Sequence, residues 1–388
     1  MSNNSAPTIP SIVLTGGPSA GKSSAMALLR QKLPAFGITP LVVPEMATQI
    51  FTSGFSPADL AAVPERWRDF QLEMVRAQIA QEEQWRAFAT LLPHPRKVLL
   101  CDRGVLDGRA YIDPDVFHGI LYDLGLTLAD ARDRRYHAVF HLVTAARGAE
   151  AFYTTANNAA RRETPEEARA LDDRTLEAWT GHRRLQIIGN EAPFPAQGAR
   201  SFDAKLHALL TSVCRTLGVP VPSQTEYKFL LDAPPTLPAS LSVSVTDMEQ
   251  TYLASATPAI ERRVRLMRPA GAAGVPGTLY VYTEKRPHPD GGRLSTERVL
   301  TAREYQHLLS ERDPARATVQ KRRTAFTWAD QYFQLDDCVA PTPLRLLEVT
   351  PPEGATAVRF PPFLAPIHDV TGDPDYRYAA IATRRQRR

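Results

Sequence analysis

Gly16-Gly17-Pro18-Ser19-Ala20-Gly21-Lys22-Ser23 fits the pattern G-x-x-x-x-G-K-[ST], and its reading decides the fold of the first half of the chain. The apolar run Ser11 to Thr15 precedes it and a helical pattern to about Leu33 follows, so the glycines fall in a strand-to-helix turn. There the backbone can wrap closely, and successive N–H groups at a helix N-terminus face an anion. Lys22 is suited to reach the β- and γ-phosphates of a nucleoside triphosphate, and the Ser23 hydroxyl to ligate Mg²⁺. Gly16, Gly17, Pro18, Ser19, Ala20, Gly21, Lys22, Ser23 and Ser24 are therefore the expected set for Mg²⁺ with ATP or GTP. No side-chain pattern separates the two bases.

Outward from this turn, short apolar runs alternate with helical patterns, as in α/β domains with a parallel sheet. PLVVPE, KVLLCD, HAVFHLV and LQIIGN read as further strands, with helices over about Pro64 to Leu92 and Ser201 to Leu217. Asp102 ends the strand VLLC, where a Mg²⁺-organising carboxylate is needed; a cap on the next element is the plainer reading. Arg103 can neutralise charge on a transferring phosphoryl group or form a surface ion pair. Glu45, after the second strand, is suited to take a proton from an acceptor hydroxyl, or is a solvated strand end. Asp107 reads equally well as a helix cap. A polar, Arg-rich insertion separates the fourth and fifth strands, and in it Arg161 and Arg162 precede a helix start at Thr164-Pro165-Glu166-Glu167. These arginines are expected on a lid over the phosphates. Glu45, Asp102, Arg103, Arg161 and Arg162 make up the candidate catalytic set.

GGPSAGKSS, VVPE, CDRGVLDGRAY, FYTTANNAARRETPEEARALD, Gly181-His182 and IIGN together resemble the AAA-type ATPase domain of the NadR/TRPL-translocation-defect family, over roughly residues 10 to 215. The resemblance implies a nucleotide kinase-like fold with a lid and leaves the acceptor open.

After GVPVPSQ the character changes to alternating segments: TEYKFLL, RRVRLM, TLYVYTEKR, ATVQKRR, QYFQLDD and RLLEVT. Pro- and Gly-containing turns between them point to an antiparallel sheet or barrel. Thr225 to Leu230, Arg263-Val264-Arg265, Thr283-Glu284-Lys285, Lys321-Arg322-Arg323 and Asp369 to Pro374 resemble CYTH domains, the triphosphate tunnel group. That implies a closed antiparallel barrel with a charged interior. Strand side chains alternate, so Glu226 and Lys228 share a face, as do Arg263 and Arg265, and Lys321 and Arg323. Lys228, Arg263, Arg265, Lys285, Arg293, Lys321 and Arg323 are the expected polyanion-binding set, and Glu226, Glu297 and Glu348 the expected metal carboxylates. The family motif E-x-E-x-K is broken by Gln224. Glu297 and Glu348 lack paired carboxylates, because Val299 and Thr350 stand there, while Asp336 lies nearby in sequence. Hard cations need several anionic oxygens, so weak metal binding and slow hydrolysis are expected of this barrel.

At 388 residues the chain exceeds the size of one ordinary core, which gives two domains, 1–218 and 219–388. A formal net charge of +4 does not argue for nucleic acid, and none is expected as a partner. The three cysteines are too scattered for a zinc site or disulfide framework. No apolar run is long enough to span a membrane, and the N-terminus makes a poor signal peptide, so a cytoplasmic location is expected. The basic end RRQRR reads as a solvated tail or a grip on an anionic partner. The functional expectation is a Mg²⁺-dependent P-loop phosphotransferase or nucleoside-triphosphate hydrolase, its barrel binding polyphosphate or a phosphorylated small molecule. The alternative is a nucleotide-gated switch whose barrel holds a phospholipid head group or a protein partner without significant catalysis.

Overall fold

The computed structural model describes residues 9–56, 59–60, 63–149, 164–190, 200–219, 226–257, 259–270, 277–287, 293–351, 357–364 and 367–383, without side chains for Pro64, Arg200, Ser201 and Arg293. Arg161, Arg162, Gln224 and the tail 384–388 lie outside the described residues. The chain divides into two compact units, Met1–Leu210 and Thr211–Arg388.

In the first unit a parallel five-stranded sheet runs in the order β2-β3-β1-β4-β5, with β1 Ser11–Thr15, β2 Thr39–Val43, β3 Lys97–Asp102, β4 Ala138–Leu142 and β5 Leu185–Ile188. β1 is central and flanked by strands reached through crossovers of opposite direction, the arrangement that opens a crevice at the strand ends. Ile12, Val13, Leu14, Leu99, Leu100, Val139 and Phe140 are fully buried, which is why these strands read as unbroken apolar runs. The helices are α1 Lys22–Lys32, α2 Met46–Thr52, α3 Trp67–Leu91, α4 Pro114–Asp123, α5 Pro165–Trp179 and α6 Arg200–Thr216. Thr164 caps α5, accepting from Glu167 N while Glu167 reaches back to Thr164 N, as Thr-Pro-Glu-Glu predicts. Helix α4 had no counterpart in the sequence reading; Asp113 caps it and Pro114 occupies its first turn.

The second unit is a nine-stranded antiparallel sheet in the order β10-β9-β8-β7-β11-β12-β13-β6-β14. Its strands are β6 Tyr227–Leu231, β7 Val243–Leu253, β8 Glu261–Pro269, β9 Leu279–Pro287, β10 Arg293–Leu300, β11 Val319–Trp328, β12 Gln331–Ala340, β13 Leu344–Thr350 and β14 Ile367–Asp369. Helix α7 Ala302–Leu309 packs Tyr305 against Leu253, Val264, Leu266 and Leu300, and α8 Tyr378–Ile381 lies near the chain end. A second cluster gathers Phe229, Phe326, Phe333, Leu335, Leu347 and Val349, with Phe326 and Phe333 stacked at 5.1 Å. The expected closure into a barrel is not seen as a ladder: β10 and β14 are not paired to each other among the described residues. The sheet nevertheless curls. Lys285 on β9 feels the charges of Glu226, just before β6, and Glu348 on β13, although several strands separate them in the sheet order.

His182 of the Gly-His pair is a structural group. It is buried just beyond α5, its Nε2 lies 3.1 Å from Tyr136 O, and Arg184 N donates to its Nδ1. Burial pulls its pKa from 6.5 down to about 3. The unfolded chain therefore binds the extra proton, and stability falls as pH drops from 6.5 towards 3, by up to about 1.4 kcal/mol per pH unit from this group. Urea unfolding of wild type and His182→Gln across this window should give a shallower slope for the variant; equal slopes would remove His182 as a source of acid sensitivity.

Candidate functional site

The turn from β1 to α1 is shaped by positions that only small residues or left-handed backbone allow. Gly16 has φ +136°, and a Cβ there would meet Leu142 O at 2.1 Å. At Gly17 a Cβ would come within 2.9 Å of the Asp172 Cβ and Oδ1. Ser19 and Gly21 are left-handed, with φ 54° and 88°. Alternating handedness of this kind turns successive amides towards one concavity. Gly21 stands just before α1, so the helix N-terminus opens onto the same space.

The loop is held from behind. Gly17 N donates to Asp172 Oδ1 at 2.6 Å, Thr144 Oγ1 donates to Pro18 O at 2.5 Å, and Lys205 Nζ donates to Ala20 O at 3.0 Å. Lys205 also reaches Val143 O and Asn190 Oδ1, while Asn190 Nδ2 donates to Thr144 O and Arg147 O. Lys22 Nζ folds onto its own loop, donating to Gly16 O at 2.8 Å and Gly17 O at 3.0 Å. Burial, aided by Arg103, lowers the Lys22 pKa to about 8. Ser23 and Ser24 are exposed in the first turn of α1.

Asp102 ends β3 beside Leu14 of β1. Its Oδ1 is buried without a hydrogen-bond partner among the described residues, and burial followed by the Glu45 charge pushes its pKa up. An orphaned carboxylate oxygen of this kind fits a divalent cation, with the Ser23 hydroxyl as a second oxygen donor. Glu45, at the start of α2, accepts from Thr48 Oγ1 at 2.6 Å and pairs with Arg103 Nε at 2.5 Å. Burial alone would raise its pKa, but Arg103 and Thr48 outweigh burial and hold it below the usual value. Arg103 takes the left-handed φ of 70° and lies 3.6 Å from Asp107 through Nη1. Asp107 is itself spent on Thr15 Oγ1 and Gly104 N, which agrees with the capping reading.

Lys22, Glu45, Asp102 and Arg103 line one cavity of about 1040 Å³. One wall carries Phe51, Trp67, Phe70 and Tyr111, with Trp67 and Phe70 stacked at 5.4 Å and Trp67 Nε1 donating to Tyr111 O. Another carries Ala145, Asn190, Phe202 and Lys205. Lys205, Asn190, Thr144 and Asp172 were not singled out from sequence. They lie 120 residues or more from the motif they support; Asp172 and Asn190 close two of the segments that carry the family resemblance, but nothing local gives any of the four this role.

In the second unit the expected basic rows fall on the sheet face away from α7, and most of their charge is already compensated. Lys321 Nζ lies 2.6 Å from Asp336 Oδ2, and Arg323 forks onto the same carboxylate through Nε and Nη2 and also reaches Glu348. Lys228 pairs with Glu348 at 3.0 Å. Tyr378 on α8 donates to Asp336, and its ring sits 3.6 Å from Lys321 Nζ and 4.7 Å from Lys228 Nζ. Burial and Arg323 lower the Lys321 pKa to about 8. On the opposite flank Arg265 pairs with Glu297, which also accepts from Thr283 Oγ1. Arg263 is less well matched, its nearest carboxylate being Glu261 at 3.9 Å, and its charge is the largest cause of the lowered pKa of Lys285. Arg263 itself is held charged by Tyr252, Glu261 and Glu297, which outweigh its burial. Glu297 and Glu348 are bound to guanidinium or ammonium groups, and among the described residues no cluster of three His, Cys, Asp or Glu side chains could hold a metal ion.

Residues 11–194 match the AAA domain family. No curated protein sequence matches the chain. Among solved structures, the inorganic triphosphatase NE1496 is 27% identical over 42% of this chain and 97% of its own, with a TM-score of 0.30. A NadR protein solved with NAD and AMP-PNP is 13% identical over 56% of this chain and 52% of its own, with a TM-score of 0.36. Thymidylate kinase from Ehrlichia chaffeensis is 13% identical over 52% of this chain and 98% of its own, with a TM-score of 0.33. Residues 11–194 thus form an AAA-type domain.

The glycine geometry gives a direct check on the loop. Gly16→Ala should destabilise more than Gly17→Ala, because the first Cβ meets backbone and a forbidden φ while the second meets a side chain; about 1–3 kcal/mol is expected for the milder variant. Thermal unfolding of both variants decides it, and the reverse order would mean that the loop is built differently.

Proposed function

We propose that the first domain transfers the γ-phosphoryl group of Mg²⁺-bound ATP or GTP to the hydroxyl of a small acceptor or to water, in the cytoplasm. The second domain, on this reading, binds a polyphosphate or phosphorylated ligand. The observation that carries the first part is the orphaned Oδ1 of Asp102, in one cavity with Lys22 at the mouth of an amide-lined loop. Mg²⁺ would be held by Ser23 and Asp102 and would neutralise charge on the phosphates. Lys22 would leave the carbonyls of Gly16 and Gly17 for the β- and γ-phosphates.

The acceptor hydroxyl attacks the γ-phosphorus, its proton passes to Glu45, and the bond from that phosphorus to the β–γ bridging oxygen breaks to release the nucleoside diphosphate. Glu45 is tied to Arg103 and Thr48, so it becomes a competent base only when Arg103 turns to a phosphoryl oxygen. The aromatic wall of Phe51, Trp67, Phe70 and Tyr111 favours an acceptor with a flat apolar part. Arg161 and Arg162 complete the reading as lid cations, and a boundary at 218/219 separates the two activities. The same Glu45–Arg103 pair also favours the second reading, a slow nucleotide switch, since a base held by a guanidinium does little until it is released.

Lys22→Ala should abolish nucleotide binding with the fold intact, and Asp102→Asn should remove the magnesium dependence and most turnover. Calorimetry and phosphate release over a magnesium titration test both; an unaltered Asp102→Asn titration would remove Asp102 from the metal site. A pH series adds an independent check. Bound phosphates favour protonated Lys22, so above pH 8 binding requires proton uptake, and affinity should fall by up to about tenfold per pH unit. Lys22→Arg should lose that decline, and a decline of equal steepness in both proteins would assign it to another group.

For the second domain, the loose pairing of Arg263, whose nearest carboxylate is 3.9 Å away, together with the positive potential it puts on Lys285, supports an anion site between β8 and β9. In a full-length Lys22→Ala background, tripolyphosphate should bind, and Arg263→Ala with Lys285→Ala should weaken it at least about tenfold. Binding that ignores both substitutions would refute this site. Fast metal-dependent hydrolysis there would overturn the expectation of weak metal binding.

A further inference from the structure

We propose that Asp172 is a positioning residue of the phosphate loop, and that through it helix α5 responds to nucleotide. The inference rests on nucleotide binding at the loop, but not on any phosphoryl transfer.

A loop that presents its amides to an anion cannot spend them on its own carbonyls, so its shape must be fixed by other groups. Gly17 N points backwards, onto Asp172 Oδ1 at 2.6 Å, while Asp172 Oδ2 accepts from Thr144 N at 3.3 Å. Thr144 in turn donates to Pro18 O. One carboxylate on α5 therefore fixes Gly17 directly and Pro18 through Thr144, two residues past the end of β4. The approach is close enough to forbid a side chain at position 17, because an added Cβ would touch the Asp172 Cβ and Oδ1 at 2.9 Å. Asp172 and His141 are buried, and His141 Nε2 lies 3.2 Å from Asp172 Oδ1.

A buried carboxylate behind an anion site opposes the ligand electrostatically. A neutral acceptor could hold an amide as well without that penalty. What a carboxylate adds is two strong acceptor oxygens on one rigid helix, receiving two amides from different segments at once. When phosphates draw the loop's other amides forward, the Gly17 peptide pulls on Asp172, and α5 is stiffened by the bond that shapes the loop. An ordinary buried ion pair would stabilise the fold but would make no difference to α5 that depends on nucleotide.

The test compares full-length wild type, Asp172→Asn and Thr144→Val for nucleotide affinity by calorimetry, and for hydrogen exchange over residues 165–179 with and without Mg-ATP and Mg-GTP. Asp172→Asn is expected to lose at least about tenfold in affinity, since its amide offers one acceptor oxygen in place of two and leaves Gly17 N or Thr144 N without a partner. It should also lose the nucleotide-dependent protection of 165–179. Thr144→Val removes the donor to Pro18 O and the acceptor for Ala146 N but keeps the bond from Thr144 N to Asp172, so it should weaken binding while keeping that protection. It also serves as the test if Asp172→Asn does not fold: protection of 165–179 that disappears in Thr144→Val would overturn the assignment to Asp172. Wild-type affinity in Asp172→Asn, or protection of 165–179 that is the same in both proteins, would overturn it too. A wild type that binds nucleotide without turnover would sink the proposed reaction and leave this inference standing. A wild type that binds no nucleotide would sink both.

Discussion

The first domain is organised around the requirement that one short loop leave its amides free for an anion. Backbone donors are expensive to leave unpaired, so a loop of this kind has to be braced through its carbonyls and its outermost amide. Asp172, Thr144, Lys205 and Lys22 supply that bracing at Gly17 N, Pro18 O, Ala20 O and the Gly16 and Gly17 carbonyls. They come from α5, the end of β4, α6 and α1. The sheet order, with β1 between β3 and β4, is what brings these distant elements to one point. The same order sets Asp102 beside the loop, where its Oδ1 has no hydrogen-bond partner among the described residues.

Much of this was legible in the sequence, and for identifiable reasons. β1, β3, β4 and β5 are buried on both faces and read as apolar runs, and the glycine spacing announces the loop. Thr164-Pro165-Glu166-Glu167 announces the start of α5 because a capping box is a local interaction. The brace could not be read. Asp172 closes a segment that carries the family resemblance, yet its role as a brace, like that of Lys205, shows only when the fold brings it under the loop. In the second domain the strands with charged alternation were found, while β7, β10 and β14 were missed. β7 is VSVTDMEQTYL, half-buried along much of its length, so its polar residues give no clean period of two. The charged face was read from Arg263, Arg265, Lys321 and Arg323, but the extent of its neutralisation was not, because Asp336 and Tyr378 approach from other strands and from the chain end.

The two candidate anion sites rest on different physics. The phosphate loop uses dipoles of fixed orientation, aided by a lysine whose pKa burial has brought down to about 8. The loop dipoles are set before a ligand arrives, while Lys22 has to leave the Gly16 and Gly17 carbonyls to meet it. The sheet instead uses full charges. Buried guanidinium and ammonium groups cannot stay unpaired at acceptable cost, so Asp336, Glu348 and Glu297 hold most of them.

A ligand entering such a face gains only the difference between its own contacts and the ion pairs it breaks. A single phosphate offers little over an existing carboxylate. A chain of phosphates can contact several cations while displacing few carboxylates, and it gains most at Arg263 and Lys285, where the existing compensation is weakest. Internal neutralisation of this kind would act as a filter on ligand charge. It also separates binding from metal-dependent hydrolysis, because a cation recruited by Glu297 or Glu348 would first have to displace Arg265 or Lys228.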